Sequence, residues 1–437
     1  MVPRARAARL STVRPAPADV ASADVAPGDV ASRAPRSAAL ALVALFSAGY
    51  LPAYLLPTVV GRLVASFGLT VPQAGSVGSA LLLASASAGL ALAGRVRRYG
   101  PVRLARGAIG LLAVGGTLAA LSTHLPQLLV GCLLTGLGAG TATAVAATGI
   151  AATADPQRGS ALGLLTTSSV AGVLFLALPR LGAGHGWPFA AVAGWALLAG
   201  LTTGRLTVGP TAAAGLSAAG PAAVGTGGGG LPRKAAGCVL AGGLLLWSMG
   251  QNALWGISGQ IGTARVGLDE RTLGLVFAAA LGGGLLGVAV ASAVGPRFGR
   301  ALPIGAGTAV IALCMVLAGG AGSVLPFAVG EVLWNTCYPL VLSHLIAVAA
   351  GLDPAGRWAV LAGAGSSLGV AAGPLTGAVL ASAVGYPGTG LALGALLATV
   401  AVPLVLIARR RATAPTVRVF VPAQRTAAAQ HRVTVPR

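Results

Sequence analysis

The sequence carries the same pattern twice, at a spacing of 199 residues, and this duplication constrains the fold more than any single residue does. Leu69 and Gly75 recur as Leu268 and Gly274, and an Arg-aromatic-Gly triplet recurs at the same spacing without a gap. An internal repeat of this length indicates a molecule built from two similar halves. The sequence therefore predicts two related bundles rather than one irregular domain.

The composition places these halves in a membrane. Hydrophobic residues make up 55% of the 437 residues and charged residues only 8%, whereas soluble domains carry roughly 25% charged residues. In lipid, only helices and closed barrels satisfy the backbone hydrogen bonds. The apolar runs are about 20 residues long, the length of a membrane helix and about twice that of a barrel strand. The chain is therefore predicted to be an all-α membrane protein.

The formal net charge of +21 could indicate a nucleic-acid-binding protein, but the distribution of the charge argues against that class. The chain has one lysine, its arginines lie in the terminal segments and in a subset of loops, and no basic face is interleaved with aromatic residues. The four histidines are far apart, and no phosphate-binding Gly-x-x-x-x-Gly-Lys-Ser/Thr loop occurs. The four cysteines lie in apolar runs with no zinc-site or disulfide spacing. The sequence thus predicts no enzyme, no metal site, no cofactor and no nucleic-acid partner.

Twelve apolar spans follow one another along the chain, and five segments result. The predicted spans are 38–60, 74–95, 107–123, 126–150, 159–179, 187–206, 236–258, 273–294, 301–320, 324–350, 358–382 and 388–408. The predicted segments are a disordered tail (1–37), an N-terminal six-helix bundle (38–207), a Gly- and Pro-rich linker (208–235), a C-terminal six-helix bundle (236–408) and a basic tail (409–437).

The basic residues predict the orientation of the chain. Twelve spans place both tails on one side, and 25 of the 29 basic residues then fall on that side. The remaining four lie on the opposite side; they are Arg62, Arg180, Arg265 and Arg271. Because basic loops stay in the cytoplasm, both termini are predicted to be cytoplasmic, and the protein is predicted to be a multi-pass protein of the plasma membrane.

Several motifs resemble those of the major facilitator superfamily over about residues 38–410. The loop 94–100 (Gly-Arg-Val-Arg-Arg-Tyr-Gly) resembles the family's Gly-x-x-x-Asp-Arg-x-Gly-Arg signature, and the segment 295–300 (Gly-Pro-Arg-Phe-Gly-Arg) resembles its second-half copy. The Gly-rich stretch 133–140, the loop 155–159 and the segment 186–189 resemble the family's fourth helix, next cytoplasmic loop and start of the sixth helix. The general pattern is closest to the drug and sugar efflux branch.

The chain departs from the family pattern at informative positions. Arg97 stands where the signature has its acid, Pro296 stands there in the second copy, and Cys132 stands where the fourth helix often has an arginine. The antiporter pattern of the fifth helix is absent there and occurs in the eleventh, at 369–377. The resemblance implies two six-helix bundles related by an axis along the membrane normal, with a substrate site between helices 1, 4, 7 and 10.

Glu331 is the one acidic residue inside a predicted span. It lies about 10 Å into the tenth span at 1.5 Å per residue, at the repeat position that corresponds to Cys132. Intramembrane acids are costly unless paired or hydrated, and they are often functional. Two interpretations follow: a carboxyl that couples transport to protons, or a carboxyl that makes a structural hydrogen bond near the outer end of its helix.

Polar and aromatic residues around Glu331 suggest an organic substrate. Glu331 begins a stripe with helical spacing that continues with Trp334, Asn335 and Tyr338. The seventh and first spans add further candidates; these are Gln251, Asn252 and Trp255 in the seventh and Tyr50 and Tyr54 in the first. Stacking and hydrogen bonds from such groups suit an amphipathic or aromatic compound. Helix packing and an interfacial aromatic belt are the alternative.

The duplicated triplets predict a cytoplasmic gate. Arg98 and Gly100 in the first copy correspond to Arg297 and Gly299 in the second. The two arginines are expected to pair with Asp155 or Asp353 and to hold the cytoplasmic ends together when the site faces outward. Orientation alone is the alternative explanation for these charges.

Together these features predict a secondary transporter, monomeric in the lipid bilayer, that exports a small amphipathic or aromatic compound in exchange for protons by alternating access. An importer or facilitator of a neutral metabolite is the alternative within the class. A non-transporting membrane receptor on the same scaffold is the alternative outside it.

Overall fold

The computed structural model describes residues 36–203, 231–294, 298–353 and 356–409, and within these ranges the chain is helical with no strand. We number the α-helices of these ranges in chain order: α1 (Arg36–Tyr54), α2 (Leu56–Phe67), α3 (Val71–Leu92), α4 (Val96–Tyr99), α5 (Pro101–Ala120), α6 (Leu125–Ala151), α7 (Pro156–Ala177), α8 (Gly186–Thr203), α9 (Lys234–Gln260), α10 (Glu270–Val294), α11 (Ala301–Gly320), α12 (Val324–Ala350) and α13 (Arg357–Arg409).

Each predicted span corresponds to a helix. In the described ranges, nine helices are long and apolar enough to cross a membrane, and α8 and α9, of 18 and 27 residues, are long enough but less apolar. The long α13 contains the last two spans, because its backbone turns at Gly385 with φ of 71°. The helices α1 and α2 form one pass with a break at Leu55. The fold is therefore the predicted all-α membrane fold of two six-helix bundles, α1–α8 and α9–α13.

Local sequence signals set the starts of several helices. Thr70 caps α3, since its Oγ1 accepts a hydrogen bond from the backbone of Gln73 while the Gln73 side chain accepts one from the backbone of Thr70. Prolines occupy the first turn of α3, α5, α6 and α7, where the missing N–H has no helical partner to lose. These signals end the preceding loops and fix where each span enters the membrane.

The first pass is longer than the sequence predicts. The expected span 38–60 continues through α2 to Phe67, so Arg62, expected in a loop, lies in a helix and is buried. The predicted tails (1–37 and 409–437) and linker (208–235) lie almost entirely outside the described residues and stay predictions.

The 199-residue repeat is visible in the packing of the two bundles. A Cβ at Gly75 of α3 would lie 2.5 Å from the Ala378 Cβ and 2.8 Å from the Pro374 carbonyl oxygen of α13. The equivalent Gly274 of α10 faces the Phe175 carbonyl of α7 and lies near Pro179. Phe175 and Pro179 are themselves the repeat equivalents of Pro374 and Ala378. Small residues let membrane helices approach closely, and here they form a matched pair of crossings between the bundles.

These crossings lie at one end of the molecule, which we call the closed end; it carries Arg62, the turn 178–184 and Glu270. Hydrogen bonds join the bundles there and down to the middle of the helices. Trp255 Nε1 donates to the Ala53 carbonyl at 3.1 Å, Gln260 Nε2 to the Gly61 carbonyl at 3.4 Å, and the Leu375 N–H to Ser79 Oγ at 2.9 Å.

Candidate functional site

The predicted stripe of α12 packs against α9 over successive turns of both helices. Ser258 Oγ lies 2.6 Å from Glu331 Oε1, and Trp334 Nε1 donates to Gln251 Oε1. One turn further, Tyr338 stacks on Trp247 with ring centroids 5.2 Å apart and an interplanar angle of 17°. The stripe is therefore an interhelical ladder inside the C-terminal bundle; we call these six residues the α9–α12 ladder.

The hydrogen bonds of Ser258 bear on the protonation state of Glu331. Ser258 Oγ is 2.9 Å from the Leu254 carbonyl oxygen as well as 2.6 Å from Glu331 Oε1. A hydroxyl carries one proton, so it cannot donate to both oxygens. A neutral Glu331 resolves this, because its carboxyl O–H donates to Ser258 Oγ while the Ser258 hydroxyl donates to Leu254. Within the described residues no cation contacts Glu331, which is fully buried.

Polar groups of the ladder lack protein partners. Among the described residues, Trp247 Nε1, Gln251 Nε2 and Glu331 Oε2 are buried without a hydrogen bond. Buried polar groups in native proteins are nearly always paired, so two N–H donors and one oxygen along the ladder have unused hydrogen-bonding capacity. Such groups suit a bound molecule that supplies hydrogen-bond acceptors.

An aromatic cluster fills the middle of the molecule between the bundles. The Trp255 ring lies 6.5 Å from Phe175 of α7, 5.4 Å from Phe277 of α10 and 6.1 Å from Trp334 of α12, measured between centroids. Trp255 also donates to the backbone of Ala53 in the first pass. This predicted site residue therefore joins both bundles, and it lies on α9 between the ladder residues Gln251 and Ser258.

The two candidates of the first pass are Tyr50 and Tyr54. Tyr50 is 39% exposed about halfway along the first pass, which α1 and α2 form, and it packs on Phe46 with centroids 4.6 Å apart. Tyr54, one turn further, is half-buried, and its hydroxyl interacts with Ser168 of α7. An exposed tyrosine at this depth offers a bound compound an aromatic ring.

Two candidates make only local contacts. Asn252 Nδ2 donates to the Ser248 carbonyl at 2.9 Å, and Asn335 Nδ2 donates to the Glu331 carbonyl at 2.9 Å. Each bond lies within one helix, four residues back. Both amides are partly exposed, but the structure brings neither of them into the ladder.

The closed end contains a buried cation that the sequence analysis assigned to orientation alone. Arg62 is 3% exposed, and its guanidinium donates to the Leu178 carbonyl at 3.0 Å, to the Gly184 carbonyl at 3.0 Å and to Glu270 Oε2 at 2.8 Å. Glu270 begins α10 of the other bundle. The Arg62–Glu270 pair therefore ties the two bundles together at the membrane edge.

Two titratable groups near this pair are shifted. Hydrogen bonds from Thr272 hold the pKa of Asp269, the residue before Glu270, below its usual range. Burial against Phe67 lowers the pKa of His185, whose Nε2 lies 3.2 Å from Ser122 Oγ. Asp269 therefore favours its charged carboxylate, and His185 favours its neutral imidazole.

The predicted cytoplasmic gate residues lie at the opposite end. Asp155 caps α7 by accepting from the Arg158 N–H at 2.9 Å, and Asp353 pairs with Arg357 at 2.7 Å in its own bundle. Arg98 is exposed on α4. Gly100 and Gly299 have φ of 87° and 66°, a left-handed region that favours glycine. Arg297 lies outside the described residues, so its pairing stays a prediction.

Sequence reasoning missed four residues of this arrangement; they are Trp247, Ser258, Arg62 and Glu270. Trp247 and Ser258 lie one helical turn or so from the named candidates of the seventh span, on the face that meets α12. Continuing the seventh-span pattern by three or four residues in each direction would have found them. Nothing in the sequence links Arg62 to a partner 208 residues away.

A protein-family comparison agrees with this architecture. The model of the Major Facilitator Superfamily matches residues 38–355. The chain belongs to this superfamily. No curated protein shows a significant sequence match to the chain.

Solved structures of superfamily transporters share the fold at low sequence identity. The human organic anion transporter MFSD10 (TETRAN) superposes with a TM-score of 0.63 at 18% identity, covering 84% of this chain and 99% of its own. A D-xylose-proton symporter gives 0.65 at 16% identity, with 84% and 96% covered. A POT family transporter in complex with 5-aminolevulinic acid gives 0.68 at 14% identity, with 86% and 96% covered. This superfamily member is therefore a multi-pass membrane protein with the transporter fold.

Proposed function

We propose that this superfamily member is a secondary active transporter of the plasma membrane that exports a small amphipathic or aromatic compound in exchange for protons. Glu331 carries the proton, and no cofactor takes part. The observation that carries the proposal is the position of Glu331: a buried carboxyl that contacts no cation among the described residues and lies 2.6 Å from a serine Oγ, which is also 2.9 Å from the Leu254 carbonyl oxygen.

The bonding of Ser258 supports a proton cycle. In the present conformation the neutral carboxyl donates to Ser258 Oγ, and the Gln260–Gly61 hydrogen bond and the Arg62–Glu270 pair hold the closed end shut beyond it. Under the proposed orientation the closed end is extracellular, so this conformation faces inward and precedes proton release to the cytoplasm. Opening the closed end would expose Glu331 to outside pH and reload it. A group that exchanges protons with alternate sides is what antiport requires.

The unpartnered donors support the proposed substrate class. The Trp247–Tyr338 stack and the exposed Tyr50 ring offer π faces, and Trp247 Nε1 and Gln251 Nε2 offer two N–H groups without acceptors. A planar organic compound with a carbonyl or ether oxygen satisfies both features. None of the named site residues has a basic side chain, which favours a neutral or weakly cationic compound over an anion.

Transport by purified protein in proteoliposomes tests the proposal. A compound found by thermal-shift screening against the wild type is the substrate probe. Glu331→Gln should abolish transport driven by a pH gradient while retaining substrate exchange at equal pH on both sides. Asp269→Asn removes an exposed acid outside the site and serves as the matched control, with transport near the wild-type rate.

Two results would overturn the proposal. If the substrate moves in the same direction as the protons, the protein is a symporter. If Glu331→Gln retains wild-type gradient-driven transport, the carboxyl has a structural role only. Absence of flux for every compound that shifts the melting temperature would favour the receptor alternative.

A further inference from the structure

A groove with basic and apolar parts lies on the outer face of the C-terminal bundle. Its wider part has a volume of about 440 Å³ and is formed where α11 begins and α13 ends. The residues that line it and bear on its chemistry are Phe298, Arg300, Leu302, Gly305, Val405 and Arg409. Gly305 leaves room for the groove, since a Cβ at this position would already lie 3.1 Å from Val405.

A second, narrower cavity continues the groove along α13. It has a volume of about 270 Å³ and is lined by residues 401, 402, 405, 406 and 409. Val405 and Arg409 line both cavities, so the two form one track, which we call the basic groove. The arginines lie at its mouth, and alanine, valine and leucine side chains line the narrower part.

The basic groove faces away from the transport path. α11 packs mainly against α12 and α13 of its own bundle, not against the N-terminal bundle. Leu302, Val402 and Leu406 beside the groove are 60%, 59% and 50% exposed. Apolar side chains exposed at this level of a membrane protein contact lipid. Arg300 precedes α11 and Arg409 ends α13, so both lie where these helices leave the hydrocarbon region.

The mouth of the groove is arranged to hold an anion. Arg300 Nη1 donates to the Ala347 carbonyl at 3.0 Å, which fixes the guanidinium at the end of α12. A guanidinium has five N–H donors, so most of them stay available. Arg409 lies across the mouth and is exposed. None of the residues lining either cavity is acidic. Two arginines on one side and apolar walls below match a phosphate attached to an acyl chain.

We propose that the basic groove binds an anionic phospholipid. The phosphate lies between Arg300 and Arg409, and an acyl chain lies along Ala401–Leu406. The site is independent of the transport cycle described above, since it shares no residue with the α9–α12 ladder or the closed end. It commits to a membrane lipid rather than a soluble phosphate, because the narrow part of the groove offers only apolar contacts.

Native mass spectrometry of the full chain tests this site. The protein, purified in a mild detergent, is titrated with phosphatidylglycerol or with phosphatidylcholine of the same acyl chains, and bound lipids per protein are counted. The wild type should retain phosphatidylglycerol more tightly by about thirtyfold, a typical effect of two arginine–phosphate contacts at a membrane surface. Arg300→Gln/Arg409→Gln should remove this preference and lose one bound lipid.

A matched pair of arginines controls for overall charge. Arg103 and Arg106 are both exposed in the first turns of α5 and lie outside the groove. Arg103→Gln/Arg106→Gln makes the same change in net charge and should retain the lipid. Gly305→Leu fills the groove without changing charge and should also release the lipid, which keeps the test valid if the double arginine variant is unstable.

Three outcomes overturn the proposal. The first is that the wild type retains both lipids equally. The second is that the Arg300/Arg409 and Arg103/Arg106 variants lose the same amount of lipid. The third is that Gly305→Leu retains the lipid and inorganic phosphate alone competes with it. The last outcome would identify a simple anion site at the arginines without a lipid.

Discussion

Arg62 and Glu270, 208 residues apart and in different bundles, meet at 2.8 Å at the closed end. The Arg62 side chain is 4% exposed and the Glu270 side chain 41%. The same guanidinium donates to the Leu178 and Gly184 carbonyls of its own bundle. One cation therefore holds a loop of the N-terminal bundle and the start of a helix in the C-terminal bundle.

Removing the Glu270 charge should favour opening of the closed end. Glu270→Gln retains the side-chain volume but leaves the Arg62 cation buried without its counter-ion. Loss of one partner from a buried pair costs about 3–5 kcal/mol, and the partial exposure of Glu270 reduces this to about 1–2 kcal/mol. The reporter is Gln260→Cys, a buried position between the bundles, in a chain whose native cysteines are replaced by alanine. We expect maleimide to label this cysteine roughly tenfold faster when Glu270→Gln is also present.

Asp269→Asn is the control for this experiment. Asp269 carries the same charge one residue away, but it caps α10 through Thr272 and does not contact Arg62. Its labelling rate should stay at the wild-type value. Equal acceleration by both substitutions would show that general surface charge, and not the Arg62 contact, holds the end closed.

The repeated glycines make a second prediction about the closed end. Gly274→Ala would place a Cβ against the Phe175 carbonyl, so α7 and α10 must separate. Overpacking of this kind costs about 1–3 kcal/mol, and Gly274→Ala should speed labelling of the same cysteine at least about fivefold. Gly75→Ala should act alike, because it faces Pro374 and Ala378 in the equivalent crossing.

Gly282→Ala is the control within the same helix, since no atom lies within 4 Å of a Cβ built at Gly282. It should label like the wild type. A similar rate for Gly274→Ala and Gly282→Ala would mean that this crossing does not contribute to closure.

The Ser258–Glu331 contact predicts how each residue affects stability. If Glu331 donates its proton to Ser258, Gln at position 331 replaces that donor with an N–H, and Glu331→Gln should melt close to the wild type. Ser258→Ala removes the acceptor from a buried carboxyl and should lower the free energy of unfolding by about 1–3 kcal/mol. Thermal melting in detergent measures both. A melting temperature for Glu331→Gln as low as that of Ser258→Ala would contradict a neutral carboxyl.

Trp247 should contribute to substrate affinity more than to stability. Trp247→Phe keeps an aromatic ring on Tyr338 but removes an N–H that has no partner. One neutral hydrogen bond contributes about 0.5–1.5 kcal/mol, so the KM for an acceptor-bearing substrate should increase about threefold to tenfold at unchanged melting temperature. An unchanged KM would assign Trp247 to packing alone.

His185 predicts part of the pH dependence of stability. Because burial lowers its pKa in the folded protein, the fold favours neutral imidazole. The contribution of His185 to the free energy of unfolding is complete above the pKa of a histidine in the unfolded chain, about 6.5. It is lost as the pH falls through the pKa of His185 in the folded protein. His185→Gln should therefore flatten the fall in melting temperature between about pH 7 and pH 5. An identical pH profile for wild type and variant would exclude this contribution.

Much of the fold could be predicted from the sequence because membrane helices are read from length and hydrophobicity alone. The twelve spans and the repeat of Gly75 as Gly274 follow directly, and so does the helical stripe of Glu331, Trp334 and Tyr338. The contacts of this stripe could not be predicted from the sequence. Periodicity places three side chains on one face of α12, but it does not say whether that face meets a cavity or another helix.

The remaining features depend on tertiary contacts. Arg62 resembles any loop arginine until the first pass is seen to continue past Leu55 into α2. Its partner Glu270 becomes visible only when α10 is packed against the turn 178–184. Trp247 and Ser258 were missed for a different reason: tryptophan and serine are ordinary residues of an apolar helix, and only the ladder with α12 distinguishes them.

The contact between Gly61 and Gln260 has a consequence for the origin of the chain. These residues occupy equivalent positions of the two copies, and Gln260 Nε2 donates to the Gly61 carbonyl. A position can touch its own equivalent only beside a two-fold axis, as in the self-complementary interface of a symmetric homodimer. The closed end thus has the geometry by which two copies of a six-helix ancestor would pair with each other.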